Sequence, residues 1–217
     1  MIIQLDLAKA YDKLNWSYIR AILKAYGFDQ NWIRWVMALV TSTSFSILLN
    51  GAPSNTFTPS RGLRQGDLLS PFLFVLMIEG HGREIKLENV EGRIQGIKLT
   101  PDGEANTHQQ FVDDTMLQGV PIVSEARAIK DILNDFNMVA GIEVSQNKSI
   151  VFFFNINISI QRDITRILGF QREQLPSKYL GIPLTDKPLS KKIWEPITNK
   201  LQDKINNLTC RALNFTG

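Results

Sequence analysis

The spacing of apolar positions changes several times along this chain, and each change marks an expected element. Residues 1–5 are a short β-prone run ending at Asp6, the pattern of a buried strand that delivers a carboxylate to its end. Residues 16–26 have helical spacing, with Asn15 as N-cap and Gly27 as the stop. A second helix is expected over 31–41, with Trp32, Trp35, Val36 and Leu39 on one side. Residues 44–50 read as a strand closed by the Asn50-Gly51 turn signal, and 56–59 as its return along an edge.

A polar loop, Ser60-Arg-Gly-Leu-Arg-Gln-Gly-Asp67, leads into Ser70 and Pro71, cap and first-turn proline of a helix reaching about Glu88. Strands are expected at 94–99 and 105–112, around a turn at 101–104. Residues 109–112 and 115–117 form the arms of a hairpin with Asp113 and Asp114 at its tip. Ser124 is the expected cap of a helix with Ile129, Ile132, Leu133, Phe136 and Val139 at helical spacing, ended by Gly141. Lys148 stands just ahead of the β-rich run 150–154. A helix is expected over 158–168 with Gly169 as its stop, a short strand or turn over 179–183, and a basic amphipathic helix over 189–208. This order gives an α+β class with an antiparallel sheet and helices on one face.

Composition narrows the function classes. With 44% hydrophobic and 21% charged residues the 217-residue chain matches ordinary globular domains. No apolar run approaches the roughly 18–20 residues that span a bilayer, so no membrane partner is expected. The N-terminus shows no secretory signal. The single cysteine, Cys210, excludes an internal disulfide and fits a reducing, intracellular setting, nuclear or cytoplasmic. Residues 161–217 hold ten Lys/Arg against five Asp/Glu, whereas 1–160 hold fourteen against sixteen. A basic tail on a mildly acidic body permits a polyanion partner, although solvated helix faces are often rich in lysine.

The chemistry centres on Asp113 and Asp114. Adjacent carboxylates repel, and a divalent cation is one of few reasons to place them beside apolar strands. Aspartate is also a common turn residue, so the pair taken alone could be only a turn. If the Asp6 strand neighbours this hairpin, three carboxylates converge, a set able to hold two cations for in-line phosphoryl transfer. His81 and His108 lack metal-ligand spacing and read as structural.

The motifs, in order, resemble those of reverse transcriptases. They are Asp6-Leu-Ala-Lys-Ala-Tyr-Asp12, Arg61-Gly-Leu-Arg-Gln-Gly-Asp67 with Ser70-Pro-Phe-Leu-Phe74, and Phe111-Val-Asp-Asp114. Together with Leu48-Leu-Asn-Gly51 and Tyr179-Leu-Gly-Ile-Pro-Leu184, the chain is similar to polymerases of plant LINE-type (non-long-terminal-repeat) retrotransposons. The resemblance implies a polymerase palm with a ferredoxin-like core over 1–155. It implies a primer-grip region and the start of a helical thumb over 156–217. It further implies RNA-directed DNA polymerase activity with two Mg²⁺, or Mn²⁺ in their place, acting on an RNA template, a DNA primer and deoxynucleoside triphosphates.

Residue roles follow from the same resemblance. Asp6, Asp113 and Asp114 would hold the metal, with the Leu7 carbonyl as a further ligand, and Lys148 would face the triphosphate as a catalytic cation. Tyr11, Arg61, Arg64, Gln65 and Gly66 would bind the nucleotide, and Tyr179, Leu180 and Gly181 would grip the primer. Leu68 and Val112 depart from the family's usual proline and alanine. The family's fingers would precede Asp6, so fingers or other element-encoded domains are expected to be missing and activity of the isolated chain to be feeble. Two alternatives stay open, a non-catalytic nucleic-acid-binding remnant and an intron-maturase-like palm.

Overall fold

The strand β1 (Ile2–Ala8) lies at the centre of the main sheet. It buries Ile3, Leu5 and Leu7 and turns Gln4 and Asp6 to the other face. A one-residue slip would drive Gln4 and Asp6 into the core at several kcal/mol, so this alternation fixes the register. The strand runs beyond the expected 1–5 because Leu7 continues the alternation past Asp6. The computed structural model describes residues 1–98, 100–186 and 191–210, with 191–193 and 207–210 described by backbone alone.

After β1 come α1 (Ala10–Lys13), α2 (Trp16–Ala25), α3 (Gln30–Thr41), β2 (Leu48–Leu49), β3 (Ala52–Pro53) and α4 (Ser70–Val90). Then follow β4 (Ile97–Lys98), β5 (Ala105–Asn106), β6 (His108–Phe111), β7 (Asp114–Gln118) and α5 (Val123–Ala140). The last elements are β8 (Glu143–Val144), β9 (Ile150–Phe152), α6 (Ile158–Leu168), β10 (Gln171–Glu173), β11 (Ser177–Tyr179), β12 (Ile182–Leu184) and α7 (Lys191–Cys210).

The main sheet has the order β10-β9-β1-β7-β6, with β8 extending the β9 side of β1. β1 pairs antiparallel with β7, β8 and β9, and β6 with β7. Ile3 faces Leu117 on one side and Val151 on the other, so these apolar residues share one face. That face packs in one cluster with Ile85 of α4, Ile129, Ile132 and Leu133 of α5, and Ile164 and Leu168 of α6. A second cluster joins Leu7 to α2, α3 and α4 through Ile19, Leu23, Val36, Leu73 and Phe74. The expected antiparallel sheet with helices on one face is what forms.

Several expected details differ. On α3 the buried residues are Ile33, Val36 and Met37, while Trp35 and Leu39 are 68% and 64% exposed. Large apolar residues on both sides of that helix made its sequence ambiguous. Asn15 occupies the N-cap of α2 without capping it, because its Nδ2 donates instead to the Val139 carbonyl of α5 (3.1 Å). α5 starts one residue before Ser124, and Glu125 takes the role of satisfying upstream backbone by accepting from the Val120 N–H (3.1 Å). Ser70 opens α4 rather than capping it, and its hydroxyl donates to Asp67.

The expected strand 105–112 is divided, since β5 pairs with β4 whereas β6 pairs with β7. The 44–50 strand shrinks to β2, paired with β3 across the Asn50-Gly51 turn, plus a Phe45–Phe57 bridge. The expected strand end at Leu99, the helix start at Leu189 and the stretch 214–217 lie outside the described residues. Among the described residues no helix is long and apolar enough to cross a membrane.

The chain divides into a unit Met1–Arg172 and a unit Glu173–Gly217. In the second unit Tyr179 pairs with Ile182 across a Leu180-Gly181 turn, both turn residues having positive φ, 50° and 78°. That is the backbone signature of a two-residue hairpin matched to strand twist.

Candidate functional site

In the antiparallel register Asp6 of β1 sits directly opposite Asp114 of β7. Facing residues of such a pair project to the same side of the sheet with Cβ atoms about 4.5–5.5 Å apart. Both are partly exposed on the face away from the α4–α6 core. Asp113 is exposed in the adjoining two-residue turn Val112-Asp113, closed by the Phe111–Asp114 pair. Val112 carries φ +56°, a conformation that a β-branched residue adopts only under strain of about 1–3 kcal/mol. The turn geometry is therefore imposed by the strands it joins.

The electrostatics follow from this crowding. Burial raises the proton affinity of Asp114, and the charges of Asp113 and then Asp6 raise it further. Burial likewise raises the Tyr11 hydroxyl pKa, with the Asp113 charge adding to it. Tyr11 thus belongs to the same neighbourhood, its ring fixed by stacking on Phe74 at 4.4 Å. Lys148 Nζ lies 3.9 Å from Asp6 Oδ1, on a side chain that is 72% exposed, a loose pair worth at most about 1 kcal/mol.

Asp6 is also held by its backbone. Its N–H donates to the Ser149 hydroxyl (3.1 Å), and its carbonyl accepts from the Ser145 N–H (2.8 Å). Ser149 is fully buried. These serines went unnoticed in sequence, where only Lys148 between them carried a recognisable charge. Leu7 follows in β1 opposite Val144 and is buried.

The loop 60–67 is docked on the segment after Asp6. The Gly62 N–H donates to the Leu14 carbonyl (2.8 Å) and the Leu63 N–H to the Tyr11 carbonyl (2.7 Å). The Trp16 indole N–H donates back to the Gly62 carbonyl (2.8 Å). Gln65 Nε2 donates to Asp12 Oδ1 (3.2 Å). Gly66 has open space around it. Gly62 is the crowded glycine, since a Cβ there would lie 2.6 Å from the Asp12 carbonyl oxygen. Arg61 and Arg64 line a cleft of about 150 Å³ with Asp12, Thr43, Phe45 and Pro59. That is below the ~300 Å³ of a typical ligand pocket, so it could seat one chemical group rather than a whole nucleotide.

Tyr11, Lys148 and the three aspartates of the first unit therefore gather at one end of β1, with Gln65 joined to them through Asp12. Tyr179, Leu180 and Gly181 lie in the second unit. His81 is buried, its ring stacked on Phe136 at 4.1 Å. Burial, then Lys86, lowers the His108 pKa to about 4, which keeps that ring neutral. Among the described residues no group of three or more His, Cys, Asp or Glu side chains could enclose a metal ion by itself. A cation at Asp6 and Asp114 would need water and substrate oxygens as further ligands, the coordination Mg²⁺ ordinarily keeps.

Comparison with known proteins adds the family. The sequence model of reverse transcriptase (RNA-dependent DNA polymerase) matches residues 1–184. The retrovirus-related Pol polyprotein of a type-2 retrotransposable element from Drosophila melanogaster is 30% identical over 198 residues, 85% of this chain. An uncharacterized mitochondrial protein of Arabidopsis thaliana is 44% identical over 68 residues, 31% of this chain. The chain spans 56% of the length of the Arabidopsis protein and 17% of the Drosophila polyprotein. Apo telomerase from Candida tropicalis superimposes with a TM-score of 0.56 at 15% identity, over 72% of this chain and 31% of the telomerase. Telomerase from Candida albicans gives 0.54 at 13% identity, over 73% and 28%. These two likenesses concern the fold alone. With the family model covering most of its length, and with homologues among non-long-terminal-repeat retrotransposons, the chain belongs to the reverse transcriptase family.

Proposed function

We infer that this chain is the polymerase portion of a plant LINE-type retrotransposon reverse transcriptase, extending a DNA primer on an RNA template by metal-dependent nucleotidyl transfer. The observation that carries the reading is Asp6 opposite Asp114, with the charges of Asp113 and Asp6 raising the proton affinity of Asp114. Such repulsion is a cost that a bound cation would relieve. Asp6, Asp113 and Asp114 would hold two Mg²⁺, or Mn²⁺, aided by the Leu7 carbonyl. Bound there, the ions would neutralise phosphate charge and favour attack by the primer 3′-oxygen.

The chain's other residues take supporting parts in this reading. Lys148 would face the triphosphate and pass a proton to the leaving pyrophosphate. Tyr11, immobilised on Phe74, would stand against a ribose 2′-hydroxyl. Arg61 and Arg64 would take phosphates, and Gln65 and Gly66 would line the nucleotide. Tyr179, Leu180 and Gly181 would hold the primer end. Residues 1–155 would be the palm, and 156–217 the primer grip and the start of the thumb. One observation favours the second reading, a non-catalytic nucleic-acid-binding remnant: the described carboxylates do not by themselves enclose a metal.

Paramagnetic Mn²⁺ decides between the two. In the first reading Mn²⁺ broadens amide resonances of residues 5–7 and 111–115, Mg²⁺ in excess reverses this, and Asp113→Asn abolishes it. Broadening centred elsewhere, or equal in Asp113→Asn, would leave the remnant.

A further inference from the structure

The proposed metal-bearing strand and the proposed nucleotide loop are parts of one braced unit, and Asp12, Leu14 and Trp16 among its braces have been given no role. Four hydrogen bonds tie loop 60–67 to the seven residues 10–16 that follow β1. Three involve backbone groups: Gly62 to Leu14, Leu63 to Tyr11, and the Trp16 indole to Gly62. The fourth joins two side chains, Gln65 to Asp12. Leu14 and Leu63 are buried, and Trp16 packs against the same core cluster, so the anchor is set in the core while Gln65 projects from it.

We propose that Asp12 and Trp16 are positioning residues for the nucleotide loop, Trp16 fixing its backbone at Gly62 and Asp12 fixing the carboxamide of Gln65. The proposal rests on the reverse-transcriptase reading of Gln65. A carboxamide on an exposed loop would otherwise rotate freely, and its two ends offer opposite hydrogen-bonding character. With Nε2 committed to Asp12 Oδ1, the Oε1 end is turned away from Asp12 and presents an acceptor. Asp12 shares its cleft with Arg61 and Arg64, so a competing role exists: its charge could merely balance the two arginines. The two roles separate chemically. Asparagine keeps the Oδ1 acceptor and loses the charge, whereas alanine loses both. Trp16→Phe keeps a packed ring and removes only the donor to Gly62.

The test pairs a readout on the protein alone with one on turnover. With glutamine side chains ¹⁵N-labelled, the Gln65 carboxamide signal, assigned by its loss in Gln65→Glu, should show one slowly exchanging proton in wild type and in Asp12→Asn. In Asp12→Ala both protons should exchange rapidly, and in Trp16→Phe the amides of residues 61–66 should broaden. In RNA-templated single-nucleotide extension, Asp12→Ala should raise the KM for the nucleotide about fivefold with kcat changed less, the effect of one net hydrogen bond. Asp12→Asn should stay within about twofold of wild type.

An unchanged Gln65 signal in Asp12→Ala would overturn the proposal. So would Asp12→Asn behaving like alanine, which would assign Asp12 to charge balance. A Gln65 signal that responds while KM does not would reduce Asp12 to a loop staple and also overturn it. Wild type that shows the protected carboxamide yet takes no nucleotide under any metal would instead contradict the reverse-transcriptase reading, and with it the role assigned to Gln65.

Discussion

Gly62→Ala should destabilise the first unit by about 2–5 kcal/mol, the sum of left-handed backbone strain and overpacking. Gly62 has φ +89°, and an added Cβ would meet the Asp12 carbonyl oxygen at 2.6 Å and its carbon at 3.0 Å. The obstacle is backbone, and neither side can give way cheaply. Gly62 is held by Leu14 and Trp16, and the Asp12 N–H is bonded to the Lys9 carbonyl (3.0 Å). Gly66→Ala is the control, because Gly66 has φ +84° but nothing within 4 Å of an added Cβ. It should lose only about 1 kcal/mol, strain without collision. Urea denaturation of the two variants measures the difference. Equal midpoints would mean that loop 60–67 is not pressed onto α1.

The second large effect is on the proposed chemistry. Asp113→Asn should lower RNA-templated extension about 10³-fold, several kcal/mol of lost charge stabilisation, while leaving the fold intact because Asp113 is exposed. The same change should act on its neighbour. Burial, then the charges of Asp113 and Asp6, hold the Asp114 pKa above its ordinary 3.8. For a raised carboxyl the stability contribution is fully present below the unfolded pKa and is lost as pH rises through the folded value. Removing the Asp113 charge should bring the Asp114 titration down towards 3.8. At neutral pH the empty protein should then gain a few tenths of a kcal/mol, the screened remainder of that repulsion. A carboxyl-carbon titration of Asp114 by NMR measures this, and an unmoved midpoint would show the two side chains to be uncoupled.

The sheet and its helices were legible because their signals are local. Alternation at Ile3 and Leu5, the heptad-like spacing of Ile129, Ile132 and Leu133, and glycine stops at Gly141 and Gly169 each report on one element, and each stands as read. The approach of Asp6 to the Asp113-Asp114 hairpin came from chemistry, since a strand-end aspartate and a distant adjacent pair invite one explanation. Their roles as metal ligands, and those of Lys148, Tyr11 and the loop residues, remain part of the proposal. What sequence did not yield was tertiary. Gly62 looked like any loop glycine until the Asp12 backbone was found against it. Trp35 and Leu39 resembled core residues, but the packing face of α3 is one step around the helix at Ile33 and Met37. Ser145 and Ser149 could be seen as supports for Asp6 only once β1 and the 145–149 turn were adjacent.

The central claim is that Asp6, Asp113 and Asp114 together support RNA-templated DNA synthesis. Primer extension by the 217-residue chain, with an RNA template, a DNA primer, Mg²⁺ and the four deoxynucleotides, tests it most directly. The account predicts a low level of product that follows the template sequence, vanishes on chelation of the metal and is absent with Asp113→Asn. Product that persists undiminished in Asp113→Asn, or none from wild type at any protein concentration, would contradict it.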